Sequence, residues 1–274
     1  MPSPLLLVVI GAGVGTFGTL VGAGGGFVLV PLLALLEPTL ATNAVTAMSL
    51  AVVAMNATSG AIAYARHRRI DYRSGLIFAA ATLPGSIGGA YISRFIAREV
   101  FDLVFAALLI GLAIFVLVTH EEEPEPAPEG TWGYAHRALV DASGTAYRYS
   151  ANIPLGVALS FGVGFASSLL GIGGGVIHVP ALVGILGFPT HIATATSHFV
   201  LAIMATVATV THIAQGDLNG LYLQTVLIGI GAVAGAQLGA RLSARIHGRH
   251  IVRALAASLI FVGLRLAAER LFSI

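Results

Sequence analysis

The chain has no cysteine among its 274 residues. Disulfides, thiol nucleophiles and cysteine metal sites are therefore excluded. Lysine is missing as well, so every one of the 14 basic residues is an arginine. Charge of either sign is scarce, at 9% of residues against roughly a quarter in soluble domains. No carboxylate stands in the middle of an apolar run, because Glu37, Asp71, Glu99, Asp102, Asp217 and Glu269 all lie near run ends. A carboxylate proton relay or an acidic cation-channel ring is not expected from such a pattern. HExxH, a paired-aspartate motif and a Walker loop with lysine are all absent, so zinc proteolysis, prenyl transfer and ATP-driven pumping lack their residues. The N-terminal "MPSPLLLVVIGAG" has no basic n-region, so it reads as the first membrane element rather than a signal peptide.

What fills the chain instead is hydrocarbon. Hydrophobic residues make up 57% and the mean hydropathy is +0.91. Apolar segments recur at about 4–21, 27–37, 41–65, 75–95, 100–119, 153–170, 176–188, 190–214, 220–243 and 250–272. About 20 helical residues cross a bilayer, so the chain reads as an all-α, multi-pass membrane protein. The pI near 9.2 does not signal a nucleic-acid partner, since the arginines sit at span ends and act as topology markers. Residues 120–152 interrupt the pattern. Their start, "HEEEPEPAPEG", is too acidic and proline-rich to pack a core, and the rest is expected to be a loop.

The segments on either side of that linker repeat. Gly22, Gly24, Gly25, Gly26 and Pro31 match Gly171, Gly173, Gly174, Gly175 and Pro180 at an offset of 149. Ser49 matches Ser197 at 148, and Gly85 and Gly89 match Gly235 and Gly239 at 150. Three units follow: a first transmembrane repeat over 1–119, a cytoplasmic linker over 120–152 and a second repeat over 153–274. Internal symmetry of this kind is common in secondary transporters.

Arginines suggest how the halves are oriented. "RHRRIDYR" (66–73) follows the second long span of the first half, whereas its counterpart "QGDLN" (215–219) has no arginine. Arg241, Arg245, Arg249 and Arg253 crowd the next turn instead. Cytoplasmic turns collect arginine, so the two halves are out of step by one span. Opposite insertion of the halves explains this if each has three full spans and one helix pair that enters and returns, hinged at the glycines. The alternative is eight ordinary spans with kinked first helices and parallel halves.

Each interior glycine costs a helix about 1 kcal/mol relative to alanine, so "GAGGG" and "GIGGG" should stop one helix and let another begin. A helix restarting there exposes unpaired amides and a positive dipole end, an anion site that needs no basic side chain. The competing reading is close helix packing, which is also the expected role of the GxxxG pairs at 85–89 and 235–239. Beside the breaks runs a polar stripe. Thr42, Thr46, Ser49 and Asn56 fall within about 80° of one another on a helix, and Tyr64 continues the face. The second half offers Thr190, Thr194, Ser197 and His198, with His212 in the place of Tyr64. His178 and His198 are candidates for contact with the substrate or for carrying a coupling proton. These hydroxyls and histidines also have a plain role, as glue between spans.

"GAGGGFVLVPLL" followed by "TNAVTAMSL", and "GIGGGVIHVPAL" followed by "IATATSHF", resemble the repeated signature of the sulfite exporter TauE/SafE family. The resemblance spans nearly the whole chain. It implies transport of sulfur-containing anions such as sulfite and sulfonates, sulfoacetate among them, and no enzymatic activity. The implied substrate site is Gly24, Gly25, Gly26, Thr46 and Ser49 with Gly173, Gly174, Gly175, Thr194 and Ser197. His178, His198 and Asn56 are further candidates for substrate or proton coupling. Neither a metal nor a cofactor is expected. The expected setting is the bacterial cytoplasmic membrane, as a monomer or homodimer whose partners are the bilayer and a small anion. Export down the membrane potential is the first reading, since moving an anion outward gains about 2.3 kcal/mol per 100 mV. Proton- or sodium-coupled uptake and an anion channel remain alternatives.

Overall fold

A computed structural model describes residues 3–118 and 130–271, with side chains described as far as residue 264. The acidic stretch 120–129 lies outside the described residues. The helices are α1 (Pro4–Leu20), α2 (Gly26–Leu36), α3 (Thr42–Arg66), α4 (Tyr72–Ile92), α5 (Arg98–Val118), α6 (Ile153–Leu170), α7 (Gly175–Gly184), α8 (Thr190–Ala214), α9 (Tyr222–Ser243) and α10 (Gly248–Leu271). Six of them, α3, α4, α5, α6, α8 and α9, are long and apolar enough to cross a membrane, while α1, α2 and α7 are shorter. The caps follow local sequence. Ser3 accepts from Leu6 N, Asp71 from Arg73 N and Ser74 N, and Asn152 from Leu155 N, each filling an otherwise orphaned donor.

Small residues set the helix pairs. On α1 and α9, Gly11 lies against the Ile228 backbone and Gly15 against Ala232, while Gly231, Gly235 and Gly239 lie against Val8, Ala12 and Thr16. The numbers rise together, so the two helices run parallel in backbone contact. α4 and α6 pair in the same way, with Gly85 on Phe161, Gly89 on Phe165 and Gly164 on Thr82. The GxxxG pairs are thus packing surfaces. At the centre α3 and α8 run antiparallel: Asn43 bonds Asp217 at one end, and Tyr64 meets His198 and Asp71 N meets Thr196 towards the other. α5 packs on α10 through Leu109, Ile110 and Gly263.

These contacts place the short helices. α1 starts beside the start of α9, and the residues just after α2 lie at the same face, where Leu40 O accepts from Arg98. α6 starts beside the start of α4, at the face opposite to the start of α1, and α8 begins at that same face, where Asp71 N meets Thr196 and Thr190 abuts Gly248. Each glycine break therefore sits at the tip of a pair that enters from one face and returns to it.

The expectation of a loop over 131–152 is corrected by the structure. Tyr134–Val140 (β1) and Ala146–Asn152 (β2) form an antiparallel hairpin, in register from Tyr134 with Asn152 to Val140 with Ala146. Its turn is built by Asp141, whose carboxylate accepts from Ser143 N and Thr145 N, and by Gly144 at φ +86°. Asp–Ser–Gly chemistry is the turn signal, and the alternating burial of β1 is the strand signal. The hairpin docks on the loop after α3. Arg69 Nε and Nη2 donate to Asp141 Oδ2 at 3.0 and 2.9 Å, and Ala142 N donates to His67 O.

Docking is pH-sensitive. Burial pushes the Asp141 carboxyl up, but hydrogen bonds from Ser143, Arg69 and Thr145 outweigh it and hold the group down at about 2. Burial and the Arg69 charge lower His67 below its ordinary 6.5, with Asp141 opposing them. A depressed carboxylate stabilises the docked form above its ordinary 3.8 and loses that contribution as pH falls towards 2. A depressed histidine disfavours docking once pH falls through its ordinary value. Amide exchange across 134–152, corrected for intrinsic rates, should be steady above about pH 7, quicken below about 6.5 and quicken again below about 4. Asp141→Asn should abolish the lower step.

Candidate functional site

The two glycine bends meet at the centre of the molecule. Gly22, Gly24 and Gly25 have φ of +78°, +75° and +85°, and Gly171 and Gly173 have +69° and +67°, conformations that a side chain would strain. Gly26, which opens α2, lies against the carbonyls of Gly171 and Ile172, and Gly175, which opens α7, lies against Gly22 and Ala23. The contacts are reciprocal in the repeat numbering. Gly22 touches Thr194 while its counterpart Gly171 touches Thr46, and Gly24 touches Leu201 while Gly173 touches Val53.

The hydroxyls and amides of the stripe have separate tasks. Ser49 Oγ donates to Gly171 O at 2.6 Å, and Asn56 Nδ2 donates to Gly24 O at 3.1 Å, so α3 alone grips both bends. Thr19 Oγ1 donates to Asn56 Oδ1, His198 Nε2 bonds Thr19 Oγ1, and Tyr64 OH donates to Thr19 O. Gly60 gives His198 its space, because a β-carbon there would press on the ring. Thr194 Oγ1 turns back to Thr190 O in its own helix.

On the α7 side the polar groups are free. Thr82, Val163, Gly174, Gly175, His178, Ser197, Val200, Leu201 and Met204 line one narrow gap at the start of α7. It leaves essentially no volume for a water molecule. Ser197 Oγ and His178 Nδ1 are buried with no hydrogen-bond partner among the described residues, as are Ser167 Oγ, Ser168 Oγ and Thr46 Oγ1. Ser160 Oγ bonds His178 Nε2 at 3.2 Å, and Phe78 packs edge-on to that imidazole. If Ser160 supplies the hydrogen, His178 Nδ1 carries the ring's N–H. Orphaned buried polar groups are rare in folded proteins, and here His178 Nδ1 and Ser197 Oγ lie together at a helix N-terminus.

Of the residues expected from sequence, Gly174, Gly175, His178 and Ser197 come together around the gap. Gly24, Gly25, Gly26, Ser49, Asn56 and Gly173 build and hold the bends. Thr46, Thr194 and His198 stand beside them. Thr19, Thr82, Ser160 and Ser167 were not singled out by sequence reasoning. Thr19 could have been, since it and Ser168 keep the 149-residue offset and precede the glycine runs by three residues.

The chain has relatives among known proteins. A family model described as Sulfite exporter TauE/SafE matches residues 7–266. A Bacillus subtilis (strain 168) protein described as "Probable membrane transporter protein YunE" is 33% identical over 279 residues, covering 98% of this chain and 99% of its own. A "Probable membrane transporter protein" of Xylella fastidiosa is 27% identical over 226 residues, covering 82% of this chain and 80% of its own. One from Methanocaldococcus jannaschii is 24% identical over 222 residues, covering 79% of this chain and 75% of its own. No solved structure matches the chain. With the family model spanning almost every residue and six helices fit to cross a bilayer, the chain belongs to the TauE/SafE sulfite exporter family of multi-pass membrane transporters.

Proposed function

We propose that the protein carries small sulfur oxyanions, sulfite or sulfonates such as sulfoacetate, across the bacterial cytoplasmic membrane by alternating access. The observation that carries this reading is the gap at the start of α7, with its amide end and the free Ser197 and His178 groups. An oxyanion entering there meets backbone N–H groups, a hydroxyl and an imidazole, and brings acceptors to all of them. Its charge is met by dipoles rather than by a fixed cation, which favours release as well as binding. The protein is not an enzyme on this reading, since transport needs no nucleophile or metal.

Residues 1–119 and 153–274 act as inverted repeats. The support is the antiparallel α3–α8 pair, the parallel α1–α9 and α4–α6 pairs, and the reciprocal contacts of the bends. The gap at the start of α7 is closed, which suits a carrier better than a channel. Export is the favoured direction at a membrane potential negative inside, and no carboxylate is placed at the gap to bind a driving cation.

Counterflow tests the carrier reading. In proteoliposomes, unlabelled sulfite inside should accelerate entry of radiolabelled sulfite. Flux that rises linearly with concentration and is indifferent to the trans side would point to a channel instead.

A further inference from the structure

The two longest helices, α3 and α8, each run out into a loop with one buried aspartate, at opposite faces of the molecule. After α8 comes Asp217. Its Oδ1 accepts from Asn43 Nδ2 near the start of α3 at 2.6 Å, and its Oδ2 bonds His212 Nδ1 at 2.7 Å. Arg94, just beyond α4, stands 3.6 Å from the same carboxylate. After α3 comes Asp71. Its backbone N–H donates to Thr196 of α8 at 3.0 Å. Its carboxylate accepts from Ser74 Oγ at 2.6 Å, Tyr149 OH at 2.9 Å and Arg137 Nε at 3.2 Å, as well as capping α4.

Each loop thus fastens the two central helices, Asp217 through its carboxylate and Asp71 through its backbone N–H, while the Asp71 carboxylate ties the start of α4 to the hairpin. Between the two fasteners lies the closed gap. The gap is lined by α4, α6, α7 and α8, so opening it to either face requires α8 to part from α4 at that face. Asp71 N to Thr196 ties the two at one end and Arg94 to Asp217 at the other, so one cluster breaks while the other holds. The clusters are unequal. At the Asp71 face the hairpin adds Arg137, Tyr149 and the Arg69–Asp141 pair, and Tyr149 and Ala151 pack with Phe78, Leu182 and Phe188 beneath. At the Asp217 face three side chains do the work. Buried charge pairs are costly to break when one partner is removed, so each cluster resists opening.

We propose that Asp217 and Asp71 are the opposing gates of the transport cycle, and that the hairpin locks the Asp71 gate. The protein at rest then opens more readily to the Asp217 face. The inference rests on the transporter reading but does not depend on which anion is carried.

The cysteine-free chain allows a direct test. Ser197→Cys places one thiol in the gap, and a membrane-impermeant charged thiol reagent is applied to right-side-out and inside-out vesicles. Asp217→Ala should raise labelling from the Asp217 face by about tenfold, the scale of one lost charge-assisted hydrogen bond, and leave the other face unchanged. Thr196→Val, which removes the acceptor of Asp71 N, should do the reverse, and deleting 134–151 should act in the same direction as Thr196→Val. Equal increases at both faces, or none in folded protein, overturn the proposal. Should an alanine variant fail to fold, Asn43→Cys with Asp217→Cys keeps the test alive. Oxidative cross-linking of that pair should stop flux reversibly, and undiminished flux in the cross-linked protein overturns the gate. Labelling that switches faces as described, while no sulfur oxyanion moves through the protein with Ser197 intact, would leave the gates standing and remove the substrate reading.

Discussion

Gly174→Leu should cut sulfite flux by at least about tenfold while leaving a folded protein, because filling the site removes at least one strong anion contact. Gly174 has φ −51° and ψ −18°, ordinary helical values that any L-residue adopts. A β-carbon there would meet Val163 Cγ1 at 3.0 Å, Met204 Sδ at 3.3 Å and Ser167 Oγ at 3.3 Å, all side-chain atoms with freedom to shift. The leucine then occupies the gap, which has no spare volume. Gly175→Ala is the contrasting case. Its β-carbon would enter the Gly22 carbonyl and the Ala23 backbone, and a backbone cannot yield as a thioether can. Gly175→Ala should therefore lower the yield of folded protein, whereas Gly174→Leu, which overpacks a filled gap at a cost of about 1–3 kcal/mol, should lower flux per folded molecule well beyond its effect on yield. Purified monodisperse protein and flux per molecule separate the two outcomes.

The second large effect divides the paired serines. Ser197 Oγ has no partner in the resting protein, while Ser49 Oγ holds the Gly171 carbonyl at 2.6 Å. Ser197→Ala should weaken anion affinity by about ten- to hundredfold, the value of a hydrogen bond to a charged group, with little change in thermal stability. Ser49→Ala leaves a buried carbonyl unpaired and should cost about 1–3 kcal/mol of stability. Concentration dependence of flux reports the first effect, and thermal unfolding in detergent reports the second. Equal behaviour of the two variants would mean that the repeat's symmetry, rather than its asymmetry, governs binding.

That asymmetry marks how far the sequence could be read. The spans, the repeat offset and the glycine bends follow from periodicity and composition, which act locally and leave a strong trace. The returning helix pairs were suggested by the arginine pattern, because charge at span ends reports the face. The division of labour between Ser49 and Ser197 was not legible. They are equivalent in sequence, and only the packing of the second bend on α3 gives one of them an acceptor. The same holds for Asn56 and His198, whose bonding runs through Thr19, a contact 37 residues from one and 179 from the other. The hairpin was missed for a local reason. The two strands follow an acidic, proline-rich run in the sequence, and their clearest sequence signal is the Asp141–Gly144 turn.

The central claim is that a sulfur oxyanion moves through this fold, held by the start of α7. Current recording from purified protein on a solid-supported membrane tests it most directly, with sulfite, sulfate, sulfoacetate, taurine and simple carboxylates applied in turn. The account predicts saturable currents carried by negative charge for sulfite or sulfonates, lost in Gly174→Leu. Silence towards every sulfur oxyanion together with a response to cations would contradict it.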